Sequence, residues 1–149
     1  MLKGFHPTCI EGYQSMFSHV MLGSKDLQES IRFYDKVMPV LGYSRQSTGD
    51  TFAGYGSASD IATGKNCLWI GRPLNGLDAS AGNGVNIALN AKNREQVDRF
   101  YDAAISAGAV DEGAPGIREE AHPNFYAAYV RDPTGNKLVV VCHDSTNLL

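Results

Sequence analysis

The sequence predicts an α+β protein built from two βαβββ modules in tandem, and three observations predict it. Arg32-Phe33-Tyr34-Asp35 recurs unchanged as Arg99-Phe100-Tyr101-Asp102. The residues that start a helix repeat at the same spacing, and each predicted helix is followed by three short strand candidates. An internal repeat decides architecture more firmly than local propensity does. At the same shift Lys25 matches Lys92, Leu22 matches Leu89 and Val20 matches Ile87. Each module would leave one apolar sheet face bare, so curved mixed sheets enclosing a cleft are expected.

The first fifteen residues match neither half, and Met16 could itself begin a chain, so residues 1–15 read as an N-terminal arm or an added extension. The apolar run Phe17-Ser18-His19-Val20-Met21-Leu22 reads as a strand, with Phe17, His19 and Met21 on one face. Asp26 with Glu29, and Asn93 with Gln96, are capping-box pairs that satisfy orphan amides where a helix begins. The helices carry apolar stripes at three-and-four spacing, Phe33, Tyr34, Val37 and Met38, then Phe100, Tyr101, Ala104 and Ile105. Pro39 removes a donor and should kink or end the first helix early, and Gly42 and Gly108 close the two helices. Strands are expected at Tyr43–Ser47, Thr51–Tyr55 and Asn66–Ile70, separated by turns containing Gly, Ser and Asp. The second half opens with a strand at Val85–Leu89. After its helix come strands at Ala109–Glu112, Phe125–Arg131 and Lys137–His143, the last two joined by a turn at Asp132-Pro133-Thr134-Gly135. The Gly-, Pro-, Asn- and Asp-rich stretch Gly71–Gly84 is the natural linker. The domain then spans residues 16–143, with module 1 at about 16–72, a linker at about 73–83, module 2 at about 84–143 and a polar tail at 144–149.

Composition excludes several classes. The chain has 149 residues and a net charge of −3, so no basic face is expected for nucleic acid. At 43% hydrophobic and 19% charged it is a globular composition. No apolar run approaches the roughly 20 residues that cross a bilayer, and His6, Pro7 and Glu11 sit where a signal peptide would be apolar. No membrane association and a cytoplasmic location are expected. Cys9, Cys67 and Cys142 are odd in number and far apart, as buried or half-buried thiols would be. No nucleophile elbow, phosphate loop or dinucleotide fingerprint is present.

Met16-Phe17-Ser18-His19-Val20-Met21-Leu22, Leu41-Gly42-Tyr43, Pro115-Gly116-Ile117-Arg118 and the segment from Tyr126 through Asp132-Pro133-Thr134-Gly135-Asn136 resemble the glyoxalase, bleomycin-resistance and extradiol-dioxygenase (vicinal oxygen chelate) superfamily. The resemblance runs from about residue 16 to residue 143 and implies the tandem-module fold and a homodimer. It also implies a cleft in which catalytic members hold a divalent metal through His and Glu side chains. His19 stands at the first histidine position, but the equivalent place in module 2 is Asn86, and the carboxylate expected on the last strand is replaced by Val139. Losing even an outer partner of a metal ligand costs about 10–100-fold in affinity, so two losses among the ligands themselves leave no metal expected, His19 being the one ligand candidate. His122, Glu119 or Glu120 swinging into the cleft is the route by which a metal could still be held.

The resemblance and the residues together mark His19, Asn86, Trp69, Arg72, Arg118, Tyr126 and Tyr129 as candidate ligand-binding residues. His19 is the catalytic candidate, as an acid–base or hydrogen-bonding group, unless it is a core histidine. Trp69 with Arg72 just beyond it suits a flat or anionic small molecule, though either could be structural. Arg118 could reach a ligand or pin its loop to Asp111 or Glu112. Tyr126 and Tyr129 lie three apart, so only one can face the cleft. Cys142 and His143 read as structural or frayed. The leading expectation is a small-organic-molecule binding protein with a degenerate metal site and no cofactor. The alternatives are a metal-dependent lyase, isomerase or dioxygenase, and metal-free acid–base catalysis by His19.

Overall fold

A computed structural model describes residues 15–145. The expected arm at 1–15, Ser15 excepted, the end of the expected tail at 146–149, and Cys9 lie outside the described residues.

The element order is β1 (His19–Gly23), α1 (Leu27–Val37), β2 (Ser44–Thr48), β3 (Phe52–Gly56), α2 (Ala58–Thr63) and β4 (Cys67–Gly71) in the first module. The second has β5 (Ile87–Asn90), α3 (Arg94–Ser106), β6 (Val110–Ile117), β7 (Tyr126–Arg131) and β8 (Lys137–Cys142). Two four-stranded mixed sheets result, ordered β1-β4-β3-β2 and β5-β8-β7-β6. In each, the first strand runs parallel to the last and the other neighbours are antiparallel. The sheets are thus images of one another, as the sequence repeat requires.

Both long helices start where the caps predict. The Asp26 side chain accepts from the Glu29 amide and the Asn93 side chain from the Gln96 amide, while Gln96 reaches back to the Lys92 amide. Pro39 acts as expected. α1 stops at Val37 and the chain tightens into a 3₁₀ turn, Met38–Leu41, closed by Gly42 at φ 88°. The α1 stripe is wholly inside, with Phe33, Tyr34, Val37 and Met38 each no more than 3% exposed. The α3 stripe is only partly as expected. Phe100 and Ala104 are buried, Ile105 is exposed, and Val97 takes its place in the core.

Strand alternation divides each sheet into a face toward its helix and a face away from it. Leu22, Ala53, Tyr55, Leu68 and Ile70 of the first sheet, and Ala128, Val130, Leu138, Val140 and Cys142 of the second, join the helices in one core cluster. The larger of these side chains each contribute about 1.5–3 kcal/mol by leaving water, and the core cluster is continuous across the two modules.

A hydrogen-bonded turn also locks the modules together. Asp132 is buried, and its Oδ1 accepts from the amides of Thr134, Gly135 and Asn136. Its Oδ2 accepts from the Tyr34 hydroxyl at 2.6 Å, across the module boundary, and from the Asn136 side chain. Asn136 donates further to the Gly23 carbonyl, and the Thr134 hydroxyl accepts from the Lys25 amide. The Asp-Pro-Thr-Gly-Asn segment is therefore a clamp on the junction of β1 and α1.

Two differences from the sequence reading concern elements. A short helix, α2, occupies what reads as turns. Ser57 caps it through the Asp60 amide and Gly64 ends it at φ 71°. β6 runs to Ile117 rather than Glu112, with irregularities between Asp111 and Gly113 and between Gly113 and Gly116, the second of which takes in Pro115.

Candidate ligand-binding site

The helix-free face of the first sheet is a hollow. Alternation puts His19, Met21 and Gly23 on this face of β1, Phe52 and Gly54 on β3, and Cys67, Trp69 and Gly71 on β4. The ladder sets His19 beside Cys67, Met21 beside Trp69, and Trp69 beside Gly54. Glycine makes the depth. A Cβ at Gly54 would lie 2.4 Å from the Trp69 indole, and one at Gly71 would lie 2.6 Å from the Met21 methyl. The two large side chains lie down over strands that have no side chain of their own. The resulting hollow of about 710 Å³ is lined by Met21, Gly23, Ser47, Thr51, Phe52, Trp69, Gly71, Arg72, Pro73 and Leu74. Phe52 meets Trp69 edge to face at 5.9 Å, and exposed Arg72 stands at the rim.

His19 lies on the same face but does not line this hollow. It lines a separate groove of about 450 Å³ at the other end of β1, between the modules, with Tyr43, Asn66, Cys67, Ala88 and Asn90 among its neighbours. His19 is exposed, not a core histidine, and its Nδ1 shares a 3.0 Å hydrogen bond with the Ser18 hydroxyl. Cys67 donates to the Lys65 carbonyl. Burial, and then the nearby Asp60 carboxylate, push its thiol up, which makes it a poor nucleophile at neutral pH.

The structure therefore gathers Trp69 and Arg72 into one hollow and leaves the other candidates elsewhere. Asn86 is exposed, precedes β5 and lines neither cavity. Tyr126 takes the helix side of its sheet, where its hydroxyl donates to Asp98 on α3 at 2.6 Å. Burial first, then that hydrogen bond, push its phenol up to about 12. It is a structural strap and does not face a cleft. Tyr129 faces the opposite way, packed on Ala127, Val139 and Val141. Arg118 pins its loop through the Ala114 carbonyl at 2.8 Å, neither Asp111 nor Glu112 serving as its partner. Cys142 is buried, whereas His122 Nε2 and Nδ1 of exposed His143 share a 2.9 Å hydrogen bond, so His122 is directed to the end of β8. Glu119 and Glu120 are exposed. Sequence reasoning missed Met21, Phe52 and the glycine floor as parts of the hollow. Their signal was present, because Phe52, Gly54 and Gly56, like Cys67, Trp69 and Gly71, fall on alternate positions.

Two mixed sheets of identical topology, each offering its helix-free face, define a paired βαβββ protein. The chain belongs to the Glyoxalase/Bleomycin resistance protein/Dioxygenase superfamily, whose family model matches residues 16–140. A glyoxalase/bleomycin resistance protein from Albidiferax ferrireducens T118 is 36% identical, with a TM-score of 0.76 over 87% of this chain and 100% of that one. A glyoxalase-related enzyme from Fulvimarina pelagi is 18% identical with a TM-score of 0.66, over 87% of this chain and 88% of that one. Lactoylglutathione lyase from Agrobacterium tumefaciens is 20% identical with a TM-score of 0.59, over 87% and 94%. These last two share the fold. No curated protein matches the chain.

The superfamily often uses a divalent metal, and the donor set here can be judged place by place. The register makes Trp69 the counterpart of Val139, because Met21 pairs with Trp69 as Ala88 pairs with Val139. The four places thus hold an imidazole (His19), an amide (Asn86), an indole (Trp69) and an isopropyl group (Val139). That set does not fit a divalent ion, which takes three or more protein donors. Val139 itself is 2% exposed within an apolar cluster. Among the described residues no three His, Cys, Asp or Glu side chains come together as a metal would need.

Proposed function

We propose that this chain binds a small, flat organic molecule in the hollow of its first sheet, with Trp69 as the platform and Arg72 at the mouth. The observation that carries the reading is Trp69 itself. At a place where a metal-using relative would hold a carboxylate, this chain lays an indole across a glycine floor. An apolar hollow with a few polar groups at its edge is the usual form of a small-molecule site. Arg72 supplies a planar donor pair for a carboxylate or similar group on the ligand. The donor set, which does not fit a divalent ion, supports a binding role as in the bleomycin-resistance branch over a metal-dependent enzyme. A homodimer is part of the proposal. Met21, Phe52 and Leu74 are 52%, 37% and 106% exposed around the hollow, and a second copy would cover them.

Trp69 is the sole tryptophan, so its fluorescence reports on the hollow directly. Planar aromatic carboxylates should quench it saturably, and Arg72→Gln should weaken that binding about tenfold, the loss of one charge-assisted contact. If no planar compound quenches it, or if protein isolated without chelators carries one tightly held metal per chain and turns over a substrate, the proposal fails.

A further inference from the structure

The helix-free face of the second sheet carries a cluster that the hollow does not use. Tyr129 on β7 and Lys137 on β8 lie on this face with Val139, and the Arg118 side chain swings back over it from the end of β6. The Arg118 guanidinium carbon lies 5.3 Å from the centre of the Tyr129 ring, and the Lys137 Nζ lies 5.4 Å from it. Two cations therefore share one aromatic ring. Arg118 is held in place. One terminal nitrogen donates to the Ala114 carbonyl at 2.8 Å. Glycines leave room for the guanidinium, since a Cβ at Gly113 would lie 3.1 Å from one of its terminal nitrogens and a Cβ at Gly116 would lie 3.0 Å from the other.

Among the described residues neither cation has a carboxylate partner. The ion pairs among the described residues are Arg45 with Asp35 and Arg131 with Glu112. Both Arg118 and Lys137 are half-buried, where a charge is less screened than in open water. The ring stabilises each cation through its π-face, and a bound anion would add a full countercharge. A guanidinium offers paired N–H donors to a planar oxyanion, and the ammonium adds a point charge.

We propose that Arg118, Lys137 and Tyr129 form a receptor for the oxyanion of a small molecule, a carboxylate or a phosphate. The site does not require that the first-sheet hollow be occupied, and its readout is separate from that of Trp69.

The test is an NMR titration of the full chain at constant ionic strength, following the Arg118 side chain and the Tyr129 ring. The probes are sodium benzoate, sodium phosphate and benzylammonium chloride, the last being a cation of benzoate's shape. Saturable shifts with benzoate or phosphate in the millimolar range, and none with benzylammonium, are expected. Benzoate against phosphate then separates a carboxylate from a phosphate preference. Lys137→Gln should weaken binding about tenfold and Arg118→Gln should abolish it. The Lys137 variant keeps the inference testable if the Arg118 variant fails to fold, because the Lys137 side chain holds no other element in place by an ion pair. Absence of saturable shifts, an equal response to benzylammonium, or wild-type anion binding by folded Lys137→Gln would each overturn the proposal. Quenching of Trp69 by planar ligands should be unchanged in Lys137→Gln, so the failure of either reading leaves the other standing.

Discussion

Asp132 illustrates how much one buried side chain can hold. Its carboxylate accepts five hydrogen bonds, three closing its own turn and one, from Tyr34, crossing to the other module. Asp132→Ala would leave the Tyr34 hydroxyl and the Asn136 amide buried without an acceptor. Hydrogen bonds to a charged group are each worth about 1.5–3 kcal/mol, so the substitution should cost about 3 kcal/mol or more. Tyr34→Phe removes one such bond and leaves Asp132 with its other four, and should cost about half as much. Chemical denaturation of the two variants checks the order, and an Asp132→Ala variant as stable as Tyr34→Phe would contradict the clamp. His19 makes the opposite case. It is exposed, lines the groove and not the hollow, and shares a hydrogen bond with its neighbour Ser18. His19→Ala should therefore shift stability by no more than about 0.5 kcal/mol and leave ligand quenching of Trp69 unchanged. Weakened quenching would mean that the hollow and the groove act as one site. Loss of a catalytic turnover with quenching retained would favour acid–base chemistry at His19.

At the scale of elements, the repeat was readable because it is carried by groups whose physics is local. Asp26, Asn93, Gly42, Gly108 and Pro39 act within one turn of themselves, and each does in the structure what its position in the sequence requires. α2 was missed although its cap, Ser57 to Asp60, obeys the same rule. A helix of six residues with no buried side chain leaves no apolar period to find. β6 reads short because Gly113, Pro115 and Gly116 look like a turn, and only the ladder, which pairs Gly113 with Tyr129 and Gly116 with Ala127 across a bulge, reveals a continuing strand. The site suffered in the same way. Trp69 and Arg72 could be joined because they are three apart in one segment. Phe52, Met21 and Gly54 meet Trp69 only through the order β1-β4-β3, which no single strand encodes. That dependence gives a prediction for the floor of the hollow. Gly54→Ala would place a methyl group 2.4 Å from the indole, so the ring must lift into the space a ligand would take. Overpacking of this kind costs about 1–3 kcal/mol, and the variant should fold with altered Trp69 emission and no saturable quenching. Wild-type quenching in Gly54→Ala would show that the ligand does not lie on this floor.

The whole molecule is strapped together by tyrosines that donate to aspartates between helix and sheet. Tyr34 on α1 reaches Asp132 in the turn between β7 and β8, Tyr55 on β3 reaches Asp35 on α1, and Tyr126 on β7 reaches Asp98 on α3. In each, burial is the main cause that raises the phenol, followed by the partner carboxylate. Tyr126 is pushed up to about 12, and Tyr34 and Tyr55 are raised as well. The sign of the pH effect follows from linkage. An unfolded chain releases tyrosine protons near pH 10, whereas the folded chain keeps them to higher pH. Above about pH 10 the unfolded state therefore binds fewer protons than the folded state, and stability falls as pH rises. The contribution of these phenols is fully present below about pH 10 and is lost as pH climbs through about 12 and beyond, as far as the folded chain survives. Lysines also titrate in this window, so the informative quantity is the difference between wild type and single Tyr→Phe variants. The gap in denaturation midpoint between wild type and Tyr126→Phe should be constant below about pH 9. It should narrow from about pH 10 upward, because Tyr126→Phe has no phenol to lose. Since the core is continuous across both modules, the loss should appear as one cooperative transition in which both sheets melt together. A gap that stays constant to about pH 12 would show that Tyr126 does not hold its proton more tightly in the folded chain. Two separable transitions would show that the clamp at Asp132 and the shared core do not join the modules.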